Sequence, residues 1–303
     1  MSMTPRQRKE TVFQGGIPDQ MVWFADLTYW YDGHRQIGDV PDDWQGEGGM
    51  QRMHQALGAG RYVPGAYAFR MQEGDGVEVR SRHERDEHVV EWQTPLGTLS
   101  QTQIWCPDSF SWAFRDHPVK SVEDLRIVRY IEERRTYVPD PAELLRLERE
   151  YRDFGLPHAA TRPSPMFELY KSWVGALDLI YLLADEDEEV MKTVACLAES
   201  MRPLYQITAE APCGYVMLCE NLTAETMGGL FDLHSRDYLT EQIELLHRHG
   251  KKVMIHIDGT LRGLVEKLPA IGVDCLDAVT PLPVGDVGLD EIRALVGDEM
   301  LIL

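Results

Sequence analysis

GYVMLCEN (214–221) and KKVMIHIDG (251–259) decide the fold: two short apolar runs, each closing on polar residues, separated by one amphipathic segment that starts at Ser235 and ends at Gly250. Apolar runs of this length are strands, and strands that alternate with helices pair in parallel. The rhythm extends both ways. Upstream, HAATRPSPMF (158–167) precedes helical periodicity to about residue 210. Downstream come the helical TLRGLVEKLPAIG, the strand VDCLDAVTPL (273–282), the helix LDEIRALVG and the strand MLIL (300–303). With MVWFADLTYWY (21–31) taken as a buried first strand, strands are expected near residues 21, 158, 214, 251, 273 and 300. From residue 214 onward the repeat approaches the roughly 30 residues per unit of a (β/α)8 barrel. The length suits two modest domains or one large α/β barrel, and the rhythm favours the α/β barrel. Closure needs two more units, roughly 60 residues. The sequence stops on Leu-Ile-Leu, an apolar edge, so the expectation is that the last strands are missing from this chain.

The remaining segments decorate that frame. Residues 4–14 read as a polar helix forming an N-terminal extension, and residues 33–75 as loops with short helices. From Val77 to Trp105 apolar and polar residues alternate around the turn Thr94-Pro95-Leu96-Gly97, which predicts an antiparallel hairpin insertion at the catalytic end. Ser121 to Asp124 and Asp140-Pro141-Ala142-Glu143 read as helix starts.

Composition narrows the function. The 303 residues carry 30 Lys plus Arg against 50 Asp plus Glu, a net charge of −20, which repels phosphate backbones and argues against nucleic-acid binding. The longest apolar stretch, 174–184, is interrupted by Asp178 and too short for a bilayer, so no membrane partner is expected. Five cysteines without CxxC spacing suggest a reduced, cytoplasmic protein. There is no GxGxxG after a strand, no GxxxxGK[ST], no GxSxG and no HExxH.

What remains is a set of polar residues at strand ends, where parallel barrels keep their chemistry. His256 and Asp258 lie two apart and so share a strand face, and Glu220 and Asn221 end the preceding strand. Imidazole and carboxylate suit a zinc ion; equally, Glu220 and His256 satisfy each other or loop backbone. Cys275 is either a soft ligand or core filling, and Cys219 faces away from Glu220. Near the first strand, Asp26 with Trp23, Tyr29 and Trp30 offers an apolar wall with a polar anchor, or ordinary core aromatics. Arg162 suits a carboxylate or phosphate, or a salt bridge to one of the many acids.

TPRQRKETVFQGGIPDQMVWFADLTYW, TPLGTL, RPSPMFELYKSWVGALDLIYLLADEDEEV and HIDGTLRGLVEKLPAIGVDCLDAV together resemble the uroporphyrinogen decarboxylase superfamily. This is a barrel family that includes the haem-pathway decarboxylase and zinc-dependent methyltransferases working with corrinoid proteins. Together with the strand–helix rhythm, the resemblance points to a (β/α)8 TIM-type barrel occupying residues 1–303 as one domain. The arginine-rich segment of the decarboxylase is replaced by FADLTYWYDG, so the sequence is more similar to the methyltransferase branch. That branch's His-x-Cys reads His256-Ile-Asp258 here, and its later Cys would fall beyond Leu303. The resemblance thus implies a zinc ion held by Glu220 and His256, with Asp258 as third ligand or orienter; Cys275, from its place on the next strand, is the further candidate ligand. It implies a corrinoid carried by a partner protein as methyl acceptor. Oxygen and nitrogen ligands make a hard Lewis acid, suited to an oxygen-bearing donor such as an aromatic methyl ether. Asp26, Asn221 and Asp258 are then the catalytic candidates, and Trp23, Tyr29, Trp30 and Arg162 the substrate-binding ones. A decarboxylase-like lyase and a non-catalytic binding barrel are the alternatives, the former requiring Arg35, Arg61, Arg162 or Arg262 to converge on the site.

Overall fold

Among the described residues six strands form one parallel sheet, and their order across it is their order along the chain. They are β1 (Ala66–Tyr67), β2 (Ala159–Ala160), β3 (Tyr215–Leu222), β4 (Lys252–Ile257), β5 (Cys275–Asp277) and β6 (Leu301–Ile302). The computed structural model that shows this describes residues 2–62, 65–185 and 187–303. A sheet wound in one direction has no reversal point at which helices change sides. Val216, Leu218, Val253, Ile255, Ile257 and Leu276 accordingly face one continuous core shared with the helices. Among the described residues the strands do not close into a ring, so the mixed α/β fold with a parallel sheet stands and the barrel closure expected from the spacing is not seen.

The opposite face of the sheet has a separate cover. Met217, Met254 and Cys275 pack with Leu156 and with Phe13 from the helix Pro5–Phe13. Thr4 caps this helix through a reciprocal box with Gln7, and Pro5 opens it. Its tip is seated by Phe13, edge-on to Tyr215 at 4.9 Å. Its start is pinned by Arg6 to Glu148 at 2.5 Å and by Arg8 to Asp19 at 2.6 Å. Burying a Phe contributes on the order of 2 kcal/mol, enough to hold a short helix that would not persist alone.

Three expectations need correction. Residues 21–31 are not one buried strand: only Phe24–Ala25 is extended, paired with Gly60–Arg61 outside the main sheet. The Asp26 carboxylate accepts the Thr28 N–H and the chain turns into the helix Thr28–Ile37, overriding the strand preference of the aromatics. The place given to that strand belongs to β1, within the stretch read as loops. The insertion is a four-stranded antiparallel sheet rather than a single hairpin: Glu78–Glu84, Glu87–Thr94, Gly97–Cys106 and Ser111–Asp116. Two extra turns make the difference, at 85–86, where Arg85 has φ 55°, and at 107–110, where Phe110 has φ 49°. TLRGLVEKLPAIG forms only the 3₁₀ turns Val265–Lys267 and Pro269–Ile271, since Gly263 and Pro269 break it. The remaining helix starts hold, at Asp124 and Ala142.

Candidate active site at the strand ends

In-register pairing puts His256 of β4 directly beside Asp277 of β5. His256 Nδ1 lies 2.8 Å from Asp277 Oδ2, and the same oxygen accepts the Tyr62 hydroxyl at 3.0 Å. A carboxylate oxygen can only accept, so the arrangement assigns the imidazole proton to Nδ1 and leaves Nε2 open. Burial, and then the Asp277 charge, push the Tyr62 phenol well above its ordinary value, so it remains a donor. Asp277 is buried and held from two sides, while His256 is partly exposed.

This dyad faces a cavity of about 430 Å³ lined by Lys9, Trp23, Phe24, Asp26, Tyr62, Ile302 and Leu303 among others. The size suits a small ligand. Lys9 comes from the N-terminal helix; its ammonium sits 4.8 Å from the Phe24 ring centre and 5.7 Å from that of Tyr62. A larger groove, about 940 Å³, runs past Tyr67, Arg70 and Arg146, but it is lined by no histidine, and these arginines are paired with Asp140 and with Glu143 and Glu150.

Of the residues singled out in the sequence, Trp23, Asp26 and His256 meet at the cavity. The others do not. Glu220 points to the helix side of β3, where its two oxygens accept the Ser164 N–H and hydroxyl, each at 2.7 Å, and Ser164 Oγ lies 3.3 Å from Ser235 Oγ. Full burial lifts its carboxyl to about 7 even though the Ser164 bonds pull the other way. Cys275 shares the inner face but is sealed under Phe13, and burial raises its thiol far above the usual value. Asp258 is exposed and accepts the Gly259 N–H at 3.1 Å. Asn221, with φ 46°, sits where the register of β3 against β4 shifts, and it does not line the cavity. Tyr29 and Trp30 lie on the helix Thr28–Ile37, 64% and 43% exposed, and Trp30 stacks on His34. Arg162 is buried against Glu132 and Glu168, each at 3.0 Å, which is the salt-bridge reading.

The zinc set implied by the resemblance is therefore not assembled. Glu220 and His256 lie on opposite faces of the sheet, and the described residues contain no group of three or more His, Cys, Asp or Glu arranged to hold a metal. His256 alone of those donors reaches the cavity. The arginine clamp of a decarboxylase is not assembled either. Arg35 is exposed beside Asp32, Arg61 stacks on Tyr151, Arg162 is buried elsewhere and Arg262 pairs with Glu291.

Sequence reasoning missed Lys9, Tyr62 and Asp277. Asp277 left a signal: it follows Cys275 by two and must share its face. Lys9 and Tyr62 left none, because tertiary packing alone brings them in.

No family model matches this chain, and no curated protein matches it. Among solved structures it is similar to a methyltransferase from Methanosarcina mazei, with a TM-score of 0.54 at 9% identity, over 99% of this chain and 82% of that one. At that identity the likeness shows a shared fold. No described helix is long and apolar enough to cross a membrane.

Proposed function

We propose that this chain is a methyltransferase that takes a methyl group from a small methoxylated substrate, His256 being the proton donor to the departing oxygen. The observation that carries the reading is the Tyr62–Asp277–His256 array opening into an aromatic-walled cavity at the carboxyl ends of parallel strands. The fold shared with a methyltransferase over nearly the whole chain supports it, as does the resemblance to the methyltransferase branch. On the same grounds we read the singly wound sheet as part of a (β/α)8-type barrel.

A corrinoid on a partner protein, when bound, supplies the nucleophile that receives the methyl group. The chain's own residues do the rest. Trp23 and Phe24 hold the apolar body of the substrate. His256 enters the step as the imidazolium, protonated on both nitrogens; as the carbon–oxygen bond breaks, the oxygen keeps the electron pair and takes the Nε2 proton, leaving the neutral ring with its proton on Nδ1. Asp277 fixes the ring through Nδ1 and stabilises the charged imidazolium, and Tyr62 fixes Asp277. No step here runs through a metal.

The test is methyl transfer from a panel of aryl methyl ethers to a reduced corrinoid protein, followed by the corrinoid's absorbance. His256→Gln is expected to lower kcat about 100-fold or more. Asp277→Asn is expected to lower kcat about tenfold or more with KM unchanged, since it acts through His256. Undiminished turnover in His256→Gln, or no transfer from any donor by the folded wild type, refutes the proposal.

A further inference from the structure

We infer that Lys9 is an anion-binding residue of this cavity and that the natural ligand is a small monoanion whose carboxylate lies against the Lys9 ammonium; calling that ligand the substrate rests on the methyl-transfer reading, the binding site itself does not.

Lys9 is 5% exposed, and its ammonium lies 4.8 Å from the Phe24 ring centre and 5.7 Å from that of Tyr62. No ion pair or hydrogen bond to it is formed among the described residues. The adjacent acid, Asp277, already accepts from Tyr62 and His256 through one oxygen. Burial lowers the Lys9 amine, with Cys275 and Asp277 opposing this only through space. A buried charge without a partner is costly, and proteins avoid it where a partner is to be had.

Lys251 shows the usual solution in this same molecule. It too is buried, but its ammonium donates to the Ala211 and Cys213 carbonyls, each at 2.6 Å. Lys9 opens instead onto a cavity, in a protein whose net charge is −20. An occupant with a carboxylate completes the ammonium's donor set, while its body lies on Trp23 and Phe24. Asp26 and Asp277 on the other walls oppose a second negative charge, which selects a monoanion over a phosphate dianion.

Benzoate and its neutral near-isostere benzamide test this by calorimetric titration of the whole chain, with inorganic phosphate as a third probe. Wild type is expected to bind benzoate at least about tenfold more tightly than benzamide, and more tightly than phosphate. Lys9→Met should remove the preference while leaving benzamide affinity unchanged, and Lys9→Arg should restore most of it. Melting curves confirm that each variant folds. Equal binding of benzoate and benzamide by wild type, no binding of either, tighter binding of phosphate, or a preference retained in Lys9→Met overturns the inference. Lys9-dependent benzoate binding in a protein that transfers no methyl group would sink the methyl-transfer reading alone. Methyl transfer by a protein indifferent to benzoate would sink the Lys9 inference alone.

Discussion

Replacing Glu220 by Gln leaves the side chain's shape and reverses one hydrogen bond: Ser164 Oγ then accepts from the new amide and remains free to donate to Ser235 Oγ. The wild-type carboxyl titrates near 7 instead of its ordinary 4.5, with burial as the main cause. A proton held more tightly in the folded than in the unfolded state stabilises the fold at low pH. The contribution is complete below about pH 4.5 and is lost as pH rises through about 7. A carboxyl moved from 4.5 to about 7 represents about 3 kcal/mol. Wild type should therefore lose about 3 kcal/mol of unfolding free energy, relative to Glu220→Gln, between pH 4.5 and pH 8. Urea unfolding at closely spaced pH values measures both curves, and the midpoints should separate as pH rises while the slopes stay equal. Parallel curves would mean that Glu220 ionises freely in the folded protein and that its seat against Ser164 is wrong.

Cys275→Ser places a hydroxyl among Phe13, Met217 and Met254 and should cost about 1–3 kcal/mol in urea unfolding, without altering methyl transfer. In the native wild type the Cys275 thiol should resist iodoacetamide while the partly exposed Cys106 reacts; equal rates would contradict its burial. Arg162→Met strands the Glu168 carboxylate and leaves Glu132 with Arg135 and Ser200 alone, and should cost about 3–5 kcal/mol; loss of substrate affinity at unchanged stability would instead restore its substrate-binding role.

These residues show what was legible in the sequence. β3 to β6 were readable, as were the helices after β3 and after β5, because continuous apolar runs and amphipathic segments differ in period; the segment after β4 was not, since Gly263 and Pro269 break it into 3₁₀ turns. His256 was readable because a polar residue closing an apolar strand before Asp-Gly stands out. Which way Glu220 points was not readable. Both faces of β3 are buried, one under the helices and one under Phe13, so the hydrophobic pattern does not distinguish them, and a register shift follows Leu218. Trp23, Tyr29 and Trp30 looked alike as a cluster, yet one Asx turn at Asp26 leads the last two onto a helix away from the cavity. Asp277 was overshadowed by Cys275, the more suggestive residue chemically, although both share the inner face. Arg162 was open to two readings because its partner Glu132 lies 30 residues away, at the end of the helix Asp124–Glu132.

The helix Pro5–Phe13 does two jobs on one short rod: Phe13 closes the apolar inner face of the sheet and Lys9, one turn earlier, supplies the cavity's cation. Docking of the N-terminus and filling of the cavity are therefore a single linked equilibrium. A ligand gripped by Lys9 adds RT ln(1 + [L]/Kd) to the free energy that keeps the rod in place, and a rod that swings away releases the ligand and bares Met217, Met254 and Cys275 together. The helix Pro5–Phe13 thereby acts as the site's latch.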